Sequence, residues 1–464
     1  MSKIILYPFQ EEVIDQVRQE FQRGNKRVLI QSPTGSGKTA LTTDMLGKSS
    51  ARGISSVFIV HRRELVKQSL SAFKKNEVNA GVISAGFTER PDRNVQIASI
   101  QTYIRRYTRL KKPSLLVWDE CHHLAAKNWT KLFEEYPDAY HVGLTATPIR
   151  LDGRGLDKYF DVMVQGPSVP WLIENKYLSA YRLFAPTSIS MDGVGTRMGD
   201  FIRSQVVSLV DKPTIIGNAI SHYQRLCPGS RNVVFCASVE HSEHTAMQFR
   251  AAGISAEHVD GKTDPLKRDG AIKRFESGDT KVLCNVDLFG EGFDVPAIEA
   301  VTMLRPTQSL ALYLQQVGRG LRRSQGKDQT IILDHVGNCE RHGLPDEIRE
   351  WNLSGSEKKS KSCSSSSGGV RICPKCFAAQ LSTAVSCSFC KYQFDSQPRK
   401  IEEKEGELTE VNKDALRKKR KIEQGVAKSF DDLVKLGQAR GYKRPHFWAK
   451  KIHNARQRKK LFKG

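Results

Sequence analysis

The sequence predicts an α/β protein with two doubly wound parallel-sheet domains, because one pattern of strands and helices occurs twice along the chain. Short, continuously apolar runs are typical of parallel strands that are covered on both faces. Such runs occur at residues 28–30 and 115–118, and they return at residues 233–235 and 331–333. Helical patterns alternate with the runs in both sets, which favours two domains with a cleft between them.

Changes in composition predict the boundaries along the chain. The first domain is expected to span residues 1–170 and the second residues 171–350, since a proline- and glycine-containing stretch separates the two sets of strands. Residues 351–370 are rich in serine, lysine and glycine, which indicates a flexible linker. A small cysteine-containing module is expected at residues 371–396, and a basic helical tail at residues 397–464.

The charge of the chain is concentrated near its C-terminal end. The 464 residues include 73 Lys+Arg and 50 Asp+Glu, a net charge of +23. Residues 356–464 contain 27 basic and 11 acidic residues, so +16 of the +23 lies there. Such an excess attracts a polyanion, most commonly nucleic acid, and the alternative is a solubilising tail. No apolar run approaches the roughly 20 residues that span a bilayer, so no membrane partner is expected.

Residues 32–39 carry the pattern of a phosphate-binding loop. The sequence Ser-Pro-Thr-Gly-Ser-Gly-Lys-Thr stands between an apolar run and a helical stretch, which is the strand–loop–helix context that such a loop requires. Glycines let backbone N–H groups approach phosphate oxygens, and the helix N-terminus adds its positive dipole. Lys38 would pair with the β- and γ-phosphates, and the Thr39 hydroxyl would bind Mg²⁺. The candidate nucleotide-binding residues of this loop are Pro33, Thr34, Gly35, Ser36, Gly37, Lys38 and Thr39.

An acidic pair follows a second apolar run, about 80 residues after Lys38. In a doubly wound sheet, the end of that strand lies beside the phosphate-binding loop. Asp119 would therefore hold Mg²⁺, and Glu120 would orient and deprotonate the attacking water. A solvated turn is the alternative for such a pair taken alone. His122 and His123 follow directly and are interpreted as coupling residues, with zinc ligation as the alternative.

With these motifs, residues 6–338 resemble the superfamily 2 helicases of the DEAD/DEAH-box type. The resemblance implies two RecA-like domains, ATP as the nucleotide, and movement along a nucleic acid. Gln10, in the sequence Tyr-Pro-Phe-Gln, is similar to the glutamine that recognises adenine in that family. Gly292 and Asp294 lie in a segment similar to motif V, and the resemblance implies that they too bind ATP. The implied coupling and nucleic-acid contacts are His61, Arg62, Arg63, Gln101, Thr102, His122, Thr145 and Thr147.

Two arginines of a motif near residue 320 complete the predicted catalytic set. Arg319 and Arg322 are three residues apart, so both can face one side of a helix. A planar guanidinium pairs with two oxygens of a γ-phosphoryl group in its transition state. If the second domain supplies both, the site is complete only when the cleft closes, and closure on ATP would be the motor stroke. The alternative is a basic helix face.

Four cysteines form a C-x2-C-x10-C-x2-C pattern, which predicts a zinc ribbon with a structural Zn²⁺. Two disulfides or a redox pair are the alternatives. Nearby aromatic residues could stack on bases or simply pack around the metal. The four cysteines are Cys373, Cys376, Cys387 and Cys390, and the aromatic residues are Phe377, Phe389, Tyr392 and Phe394.

This module, and the residues Arg-Gly-Tyr-Lys at 440–443 with Phe-Trp-Ala at 447–449, resemble the bacterial RadD-type group and its phage relatives. The resemblance implies an ATPase of DNA repair, recombination or replication, with DNA favoured over RNA. It also implies single-strand-binding or recombination proteins as partners, in the cytoplasm of a bacterium or a phage-infected cell. Two alternatives stay open, namely an ATPase that recruits a partner and the translocating subunit of a restriction system.

Overall fold

The computed structural model describes two compact units, residues 1–395 and 396–464. The described residues are 5–149, 155–185, 191, 193–197, 199–288, 298–354, 370–394, 423–427, 429–439, 445, 446, 448–450, 452, 453 and 456. Among them, no helix is long and apolar enough to cross a membrane.

A seven-stranded parallel sheet forms the first half of the larger unit, with the strand order β3-β4-β2-β5-β6-β1-β7. Its central strands are buried along almost their whole length, as the continuous apolar runs predict. The strands are β1 (Arg27–Gln31), β2 (Ser56–Val60), β3 (Ala80–Ile83), β4 (Val95–Ser99), β5 (Leu115–Asp119), β6 (Tyr140–Thr145) and β7 (Val162–Gln165).

Helices cover both faces of this sheet and bury an apolar cluster on each. The first helix begins at Pro8, whose ring fixes the φ angle that a first helical residue needs. Val13, Ile14 and Val17 form its buried stripe at helical spacing. The helices are α1 (Pro8–Gln22), α2 (Lys38–Ala51), α3 (Arg63–Lys75), α4 (Ile100–Arg106) and α5 (Lys127–Glu134), with short 3-10 helices at Tyr107–Arg109 and Cys121–Ala125.

The second half repeats this architecture around a six-stranded parallel sheet, with the order β12-β13-β11-β14-β15-β8. The prediction of two parallel-sheet α/β domains is therefore confirmed. The strands are β8 (Ala180–Phe184), β11 (Asn232–Phe235), β12 (Ala256–Val259), β13 (Val282–Asn285), β14 (Ala300–Met303) and β15 (Gln329–Asp334), and β9 (Thr196–Arg197) and β10 (Asp200–Phe201) form a separate short hairpin.

The helices of this half again cover both faces of the sheet. One of them shows its boundary signals plainly: Asp264 accepts backbone N–H groups at the N-terminus, and Gly278 ends the helix with a φ of 86°. The helices are α6 (Val169–Glu174), α7 (Arg203–Val210), α8 (Pro213–Leu226), α9 (Val239–Ala251), α10 (Pro265–Ser277), α11 (Leu310–Gly320) and α12 (Asn338–His342).

The chain passes between the two sheets twice. It leaves the first sheet after β7 and reaches the second at β8, and residues 351–353 later return to the first sheet. There the Leu353 carbonyl accepts the backbone N–H groups of Leu156 and Asp157, at 2.6 and 3.0 Å. The Trp351 carbonyl accepts the Gln165 side-chain amide at 3.0 Å. The two sheets are thus joined at two places.

The four-cysteine module packs directly on the second sheet. Its hairpin consists of β16 (Val370–Ile372) and β17 (Ala379–Leu381), which pair antiparallel. The Phe377 carbonyl accepts the Ala185 N–H at 3.0 Å, beside the end of β8. Cys373, Cys387 and Phe394 join an apolar cluster of the second sheet, so the module shares its core.

The smaller unit has its own apolar cluster. Helix α13 (Phe430–Ala439) supplies Leu433 and Val434, and Ala427 and Ala449 pack with them. Helical residues at 445–456 were expected from the spacing of apolar positions, and those that are described are helical. The basic block at 417–421 and the serine-rich stretch at 355–369 lie outside the described residues.

Candidate active site

One cleft between the two halves collects most of the predicted catalytic residues. Its volume is about 490 Å³. The first half contributes the phosphate-binding loop, Asp119 and Glu120, and the second half contributes Arg319 and Arg322. The remaining lining side chains include Tyr7, Phe9, Leu65, Gln68, Ala72, Tyr177 and Arg323.

Two glycines of the loop hold backbone angles that other residues rarely adopt. Gly35 and Gly37 have φ angles of 90° and 85°, and Gly37 directly precedes α2. A Cβ atom at Gly37 would lie 2.4 Å from the Gln10 side-chain nitrogen. These positions therefore require glycine both for backbone conformation and for space.

Lys38 is the first residue of α2, and its ammonium group is enclosed in the cleft. Burial lowers its pKa, whereas the carboxylates of Glu120 and Asp119 act in the opposite direction. The guanidinium groups of Arg319 and Arg322 lower the pKa further. Lys38 therefore interacts electrostatically with acidic groups from its own half and with basic groups from the other half.

Glu120 lies beyond the end of β5 in a left-handed backbone conformation, with a φ of 47°. Such strain in a residue other than glycine is common at functional sites. The residue is 8% exposed. Its Oε2 makes no hydrogen bond to the described residues, and His122 Nδ1 lies 3.5 Å away. A buried carboxylate oxygen is thus kept available beside the loop, as a general base requires.

Hydrogen bonds connect His122, the neighbour of Glu120 at 3.5 Å, to the end of β6. His122 Nδ1 and Thr145 Oγ1 are 3.3 Å apart. Thr145 Oγ1 donates to the Thr147 carbonyl at 2.9 Å and accepts the Thr147 N–H at 3.1 Å. Three predicted coupling residues therefore form one local network beside Glu120.

A second series of contacts connects His122 with the residues predicted to touch nucleic acid. The ring of His123 lies 4.3 Å from that of His122 and 5.0 Å from that of His61. Gln101 Nε2 donates to the His61 carbonyl at 2.9 Å, and Arg62 Nε donates to His61 Nε2 at 3.1 Å.

Two other residues predicted to contact nucleic acid, Thr102 and Arg63, have different neighbours. Thr102 accepts a hydrogen bond from Ser99 at 3.0 Å. Arg63 lies over the ring of Phe87 at 5.8 Å, next to Gly86. Their partners, Ser99 and Phe87, thus differ from those of the group around His61.

Polar contacts join the segment that follows His61 to the second half. Arg62 Nη1 donates to the Asp287 carbonyl at 2.9 Å. Arg268 and Glu64 form an ion pair of 2.9 Å, in which Arg268 is buried. No motif predicts these pairings, because each joins residues more than 200 positions apart in the sequence.

The helix α11 approaches the phosphate-binding loop at van der Waals distance. A Cβ atom at Gly318 would lie 2.5 Å from Thr34 Cβ, and one at Gly35 would lie 3.4 Å from Arg322 Cγ. Arg319 is 5% exposed. Gly318, which directly precedes Arg319, therefore permits the close approach that brings both arginines to the cleft.

The amide of Gln10 is engaged by the protein. Its Oε1 accepts the Tyr7 N–H at 3.0 Å, and its Nε2 donates to the Ser36 carbonyl at 2.9 Å. Gln10 thus joins the start of α1 to the phosphate-binding loop. Both Tyr7 and Ser36 line the cleft, so Gln10 packs directly behind its wall.

An aromatic group beside Gln10 was not predicted. Tyr177 lies 4.6 Å from Tyr7 and 4.9 Å from Phe9, and Trp171 is nearly parallel to Tyr177 at 5.7 Å. Tyr7 itself is 53% exposed. The only signal in the sequence is the pair of aromatic residues in the stretch between the two sets of strands.

The four cysteines have the geometry of a metal site. Their Sγ atoms all lie within 4.8 Å of one another. Cys373 and Cys390 are 3.5 Å apart and Cys376 and Cys387 are 3.6 Å apart, close to the roughly 3.8 Å between sulfurs that tetrahedral zinc coordination at 2.3 Å requires. A disulfide needs about 2.05 Å, and all four thiols are free. The residues therefore fit a structural Zn²⁺ better than two disulfides.

The aromatic residues of this module pack against protein. Phe389 lies 4.4 Å from the guanidinium carbon of Arg182, and Phe394 lies 4.9 Å from that of Arg371. Tyr392 is in edge contact with Phe394 at 5.7 Å. These contacts favour packing over base stacking. The predicted motif V residues Gly292 and Asp294 lie outside the described residues.

Comparisons with known proteins match this architecture. The family model described as the type III restriction enzyme, res subunit, matches residues 3–150, and the helicase conserved C-terminal domain matches residues 214–324. A 51.5 kDa protein of a Lactococcus phage (isolate 7-9) is 34% identical over 421 residues, which are 89% of this chain and 88% of the phage protein.

Two more distant proteins are also similar. The DNA 3'-5' translocase XPB2 of Sulfurisphaera tokodaii is 24% identical over 384 residues, 72% of this chain and 82% of its own. A solved fragment described as the HsdR subunit of a type I restriction enzyme from Vibrio vulnificus YJ016 has a TM-score of 0.59 at 22% identity. It covers 73% of this chain and 67% of the solved chain, and the similarity shows a shared fold.

Proposed function

We propose that this chain, which belongs to superfamily 2 of the helicases and is an ATP-hydrolysing nucleic-acid translocase, uses DNA as its track. The observation that carries the choice of DNA is the similarity to a DNA translocase over 72% of this chain. The net charge of +16 in residues 356–464 supports a polyanionic track in general, because Lys and Arg contacts to phosphates give affinity without sequence choice.

Within the cleft, we assign the phosphates of ATP to the loop around Lys38. The loop amides and the Lys38 ammonium would bind the β- and γ-phosphates. Thr39 and Asp119 would hold Mg²⁺, which supplies charge neutralisation on the phosphate oxygens when it is bound. The aromatic group of Tyr7 and Tyr177 would receive the adenine ring, with Gln10 at its edge.

Glu120 would act on the attacking water. Its buried and available oxygen can orient the water and take its proton as the water oxygen attacks the γ-phosphorus and the bond to the β-phosphate oxygen breaks. Arg319 and Arg322 would stabilise the charge on the γ-phosphoryl oxygens. Since they come from the other half of the cleft, hydrolysis is tied to cleft closure.

Track binding would reach Glu120 through the histidine and threonine contacts. Arg62 and Gln101 both contact His61, and the rings of His61, His123 and His122 lead to Glu120. A phosphate that draws Arg62 away from the Asp287 carbonyl would change this contact series. Nucleic-acid stimulation of hydrolysis follows from that arrangement.

The remaining assignments are proposals of the same kind. We assign residues 1–170 and 171–350 to the two motor domains, residues 371–396 to a zinc ribbon, and residues 397–464 to the basic tail that contacts the track. A RadD-type role in DNA repair, recombination or replication, with single-strand-binding or recombination proteins as partners, is supported by the residue patterns quoted above. The phage relative supports the cytoplasm of a bacterial or phage-infected cell as the location.

The test measures ATP hydrolysis with single-stranded DNA, duplex DNA and RNA of equal length, each at two salt concentrations. We expect DNA to stimulate hydrolysis more than RNA, with a stimulation that weakens steeply as salt rises. A chain that lacks residues 356–464 should keep basal hydrolysis and bind DNA more weakly. Equal or greater stimulation by RNA would overturn the choice of DNA.

The translocating subunit of a restriction system is a second candidate. The description of the family model that matches residues 3–150 favours it. The sequence contains no nuclease or methyltransferase motif, so this role would need other chains. Purified protein that cleaves no DNA alone, and gains cleavage only with partner subunits from the same host, would support this candidate.

A further inference from the structure

A buried lysine lies behind the predicted catalytic arginines. Lys327 stands between α11 and β15 and is 9% exposed. Its Nζ donates to the carbonyl oxygen of Gly320 and, at 2.9 Å, to that of Arg322. Its ammonium group therefore binds the turn that follows the last residue of α11 and includes the backbone of Arg322.

This turn is held at three successive carbonyls. The Gly320 carbonyl also accepts Thr330 Oγ1 at 2.6 Å. The Leu321 carbonyl accepts the Ser179 N–H at 2.8 Å, and the Arg322 carbonyl accepts Ser179 Oγ at 3.3 Å. The last carbonyls of a helix have no partner within the helix, and a positive charge is favourable there because of the helix dipole. Lys327 thus donates to the Gly320 carbonyl, which α11 itself leaves open, and to the Arg322 carbonyl just beyond the helix.

The burial of this ammonium group is costly, and its neighbours do not neutralise it. Burial lowers the pKa of Lys327 to about 7; the Glu299 carboxylate opposes this shift and the Arg231 guanidinium adds to it. Glu299 is already paired with Arg231 at 3.0 Å. An apolar residue of similar length would avoid the desolvation cost, so a lysine at this position indicates a need for its hydrogen bonds.

We propose that Lys327 is a positioning residue that fixes the backbone of Arg322 and so aims its guanidinium group at the γ-phosphoryl group of ATP. This inference rests on the role proposed above for Arg322. Arg322 lies against Gly35 of the phosphate-binding loop, so a small shift of its backbone changes the distance from its guanidinium to the phosphates. A displacement of about 1 Å in a catalytic group can reduce turnover by roughly 100-fold.

The test compares Lys327→Met and Lys327→Arg with a matched control, Lys273→Met, at an exposed position of α10. We expect Lys327→Met to lower kcat about 10- to 100-fold while the KM for ATP and the melting temperature stay close to those of the parent protein. Lys327→Arg should recover part of the loss, and Lys273→Met should show none. Parent-like kcat in Lys327→Met would overturn the proposal, as would a loss confined to KM.

A double variant separates this inference from the proposed function. In an Arg322→Ala background, Lys327→Met should lower single-turnover hydrolysis no further, because the aimed group is gone. An additional 10-fold loss there would assign Lys327 a role independent of Arg322 and overturn the proposal. Normal hydrolysis in Arg322→Ala alone would instead refute the role of Arg322 in the proposed function.

The pH profile gives an independent readout. As pH rises through about 7, Lys327 loses its proton, so its hydrogen bonds to the carbonyls lose their ionic contribution. The parent kcat should therefore fall relative to that of Lys327→Arg between pH 6 and pH 8.5. Parallel profiles of the two proteins would contradict the proposal.

Discussion

Replacement of Glu120 by glutamine removes one charge from the cleft with little change of shape. Glu120 Oε2 makes no hydrogen bond to the described residues, so an amide nitrogen in its place breaks no hydrogen bond to them. The variant loses the carboxylate that would take the proton of the attacking water. Glu120→Gln therefore tests the general base apart from the architecture that surrounds it.

The expected size of the effect follows from the role of the residue. General-base catalysis contributes about 10²- to 10⁴-fold, so kcat should fall by that factor, which corresponds to roughly 3–5 kcal/mol. ATP binding should be kept or become tighter, because a negative charge near the triphosphate disappears. Glu120 also raises the pKa of Lys38, and its loss lowers that pKa further, but the bound phosphates favour the ammonium form.

The assay measures phosphate release in steady state and ATP affinity by equilibrium binding, on the same preparations. Lys38→Ala is the contrasting variant, since it should lose both turnover and tight ATP binding. A Glu120→Gln protein with kcat within about threefold of the parent would refute the assignment of the general base, because that loss is far below the range expected for one. Loss of ATP binding in that variant would assign Glu120 to binding.

Three further predictions concern other parts of the molecule. Cys390→Ser should release zinc, measured by metal analysis, and lower the melting temperature by roughly 5–10 °C, whereas Cys363→Ser, outside the C-x2-C pairs, should do neither. Arg268→Ala and Glu64→Gln should each raise the KM for ATP about fivefold, or ~1 kcal/mol, because their ion pair joins the two halves. If the increases in KM are additive in the double variant, the two residues do not act as a direct pair. Burial lowers the pKa of His141 to about 4, so the folded form stays neutral while the unfolded chain binds a proton below about pH 6.5. The melting temperature should therefore fall as pH drops from 6.5 toward 4, and it should fall less in His141→Gln. An equal dependence of melting temperature on pH in the two proteins would contradict this.

The sequence predicts those features of the fold that depend on neighbouring residues. The apolar run at 28–30 lies within β1, and Asp119 is the last residue of β5, as the strand-end position of an acidic pair predicts. The glycines around Lys38 hold the left-handed angles that such a loop requires. Each of these features depends on local backbone conformation or on strand burial, and both leave a periodic or a compositional signal.

Contacts between distant segments leave no such signal. Tyr177 approaches Tyr7 only because the chain between the sheets folds back on α1. In the sequence, Lys327 is an ordinary charged residue of a Gly-containing loop. Its burial depends on the three-dimensional positions of Gly320 and Arg322. Asp287 meets Arg62 across 225 positions. The energies of such pairings arise from packing and desolvation in three dimensions, so periodicity along the chain cannot specify them.

The position of the cysteine module also bears on the behaviour of the protein in solution. Strand β8 is the terminal strand of the second sheet, and an uncovered terminal strand offers unpaired N–H and C=O groups to other chains. Here Phe184 bridges to Ala378, and β17 lies close to β8. We therefore expect the cysteine module to hinder strand addition by other chains, and a protein whose four cysteines hold no zinc to self-associate through β8.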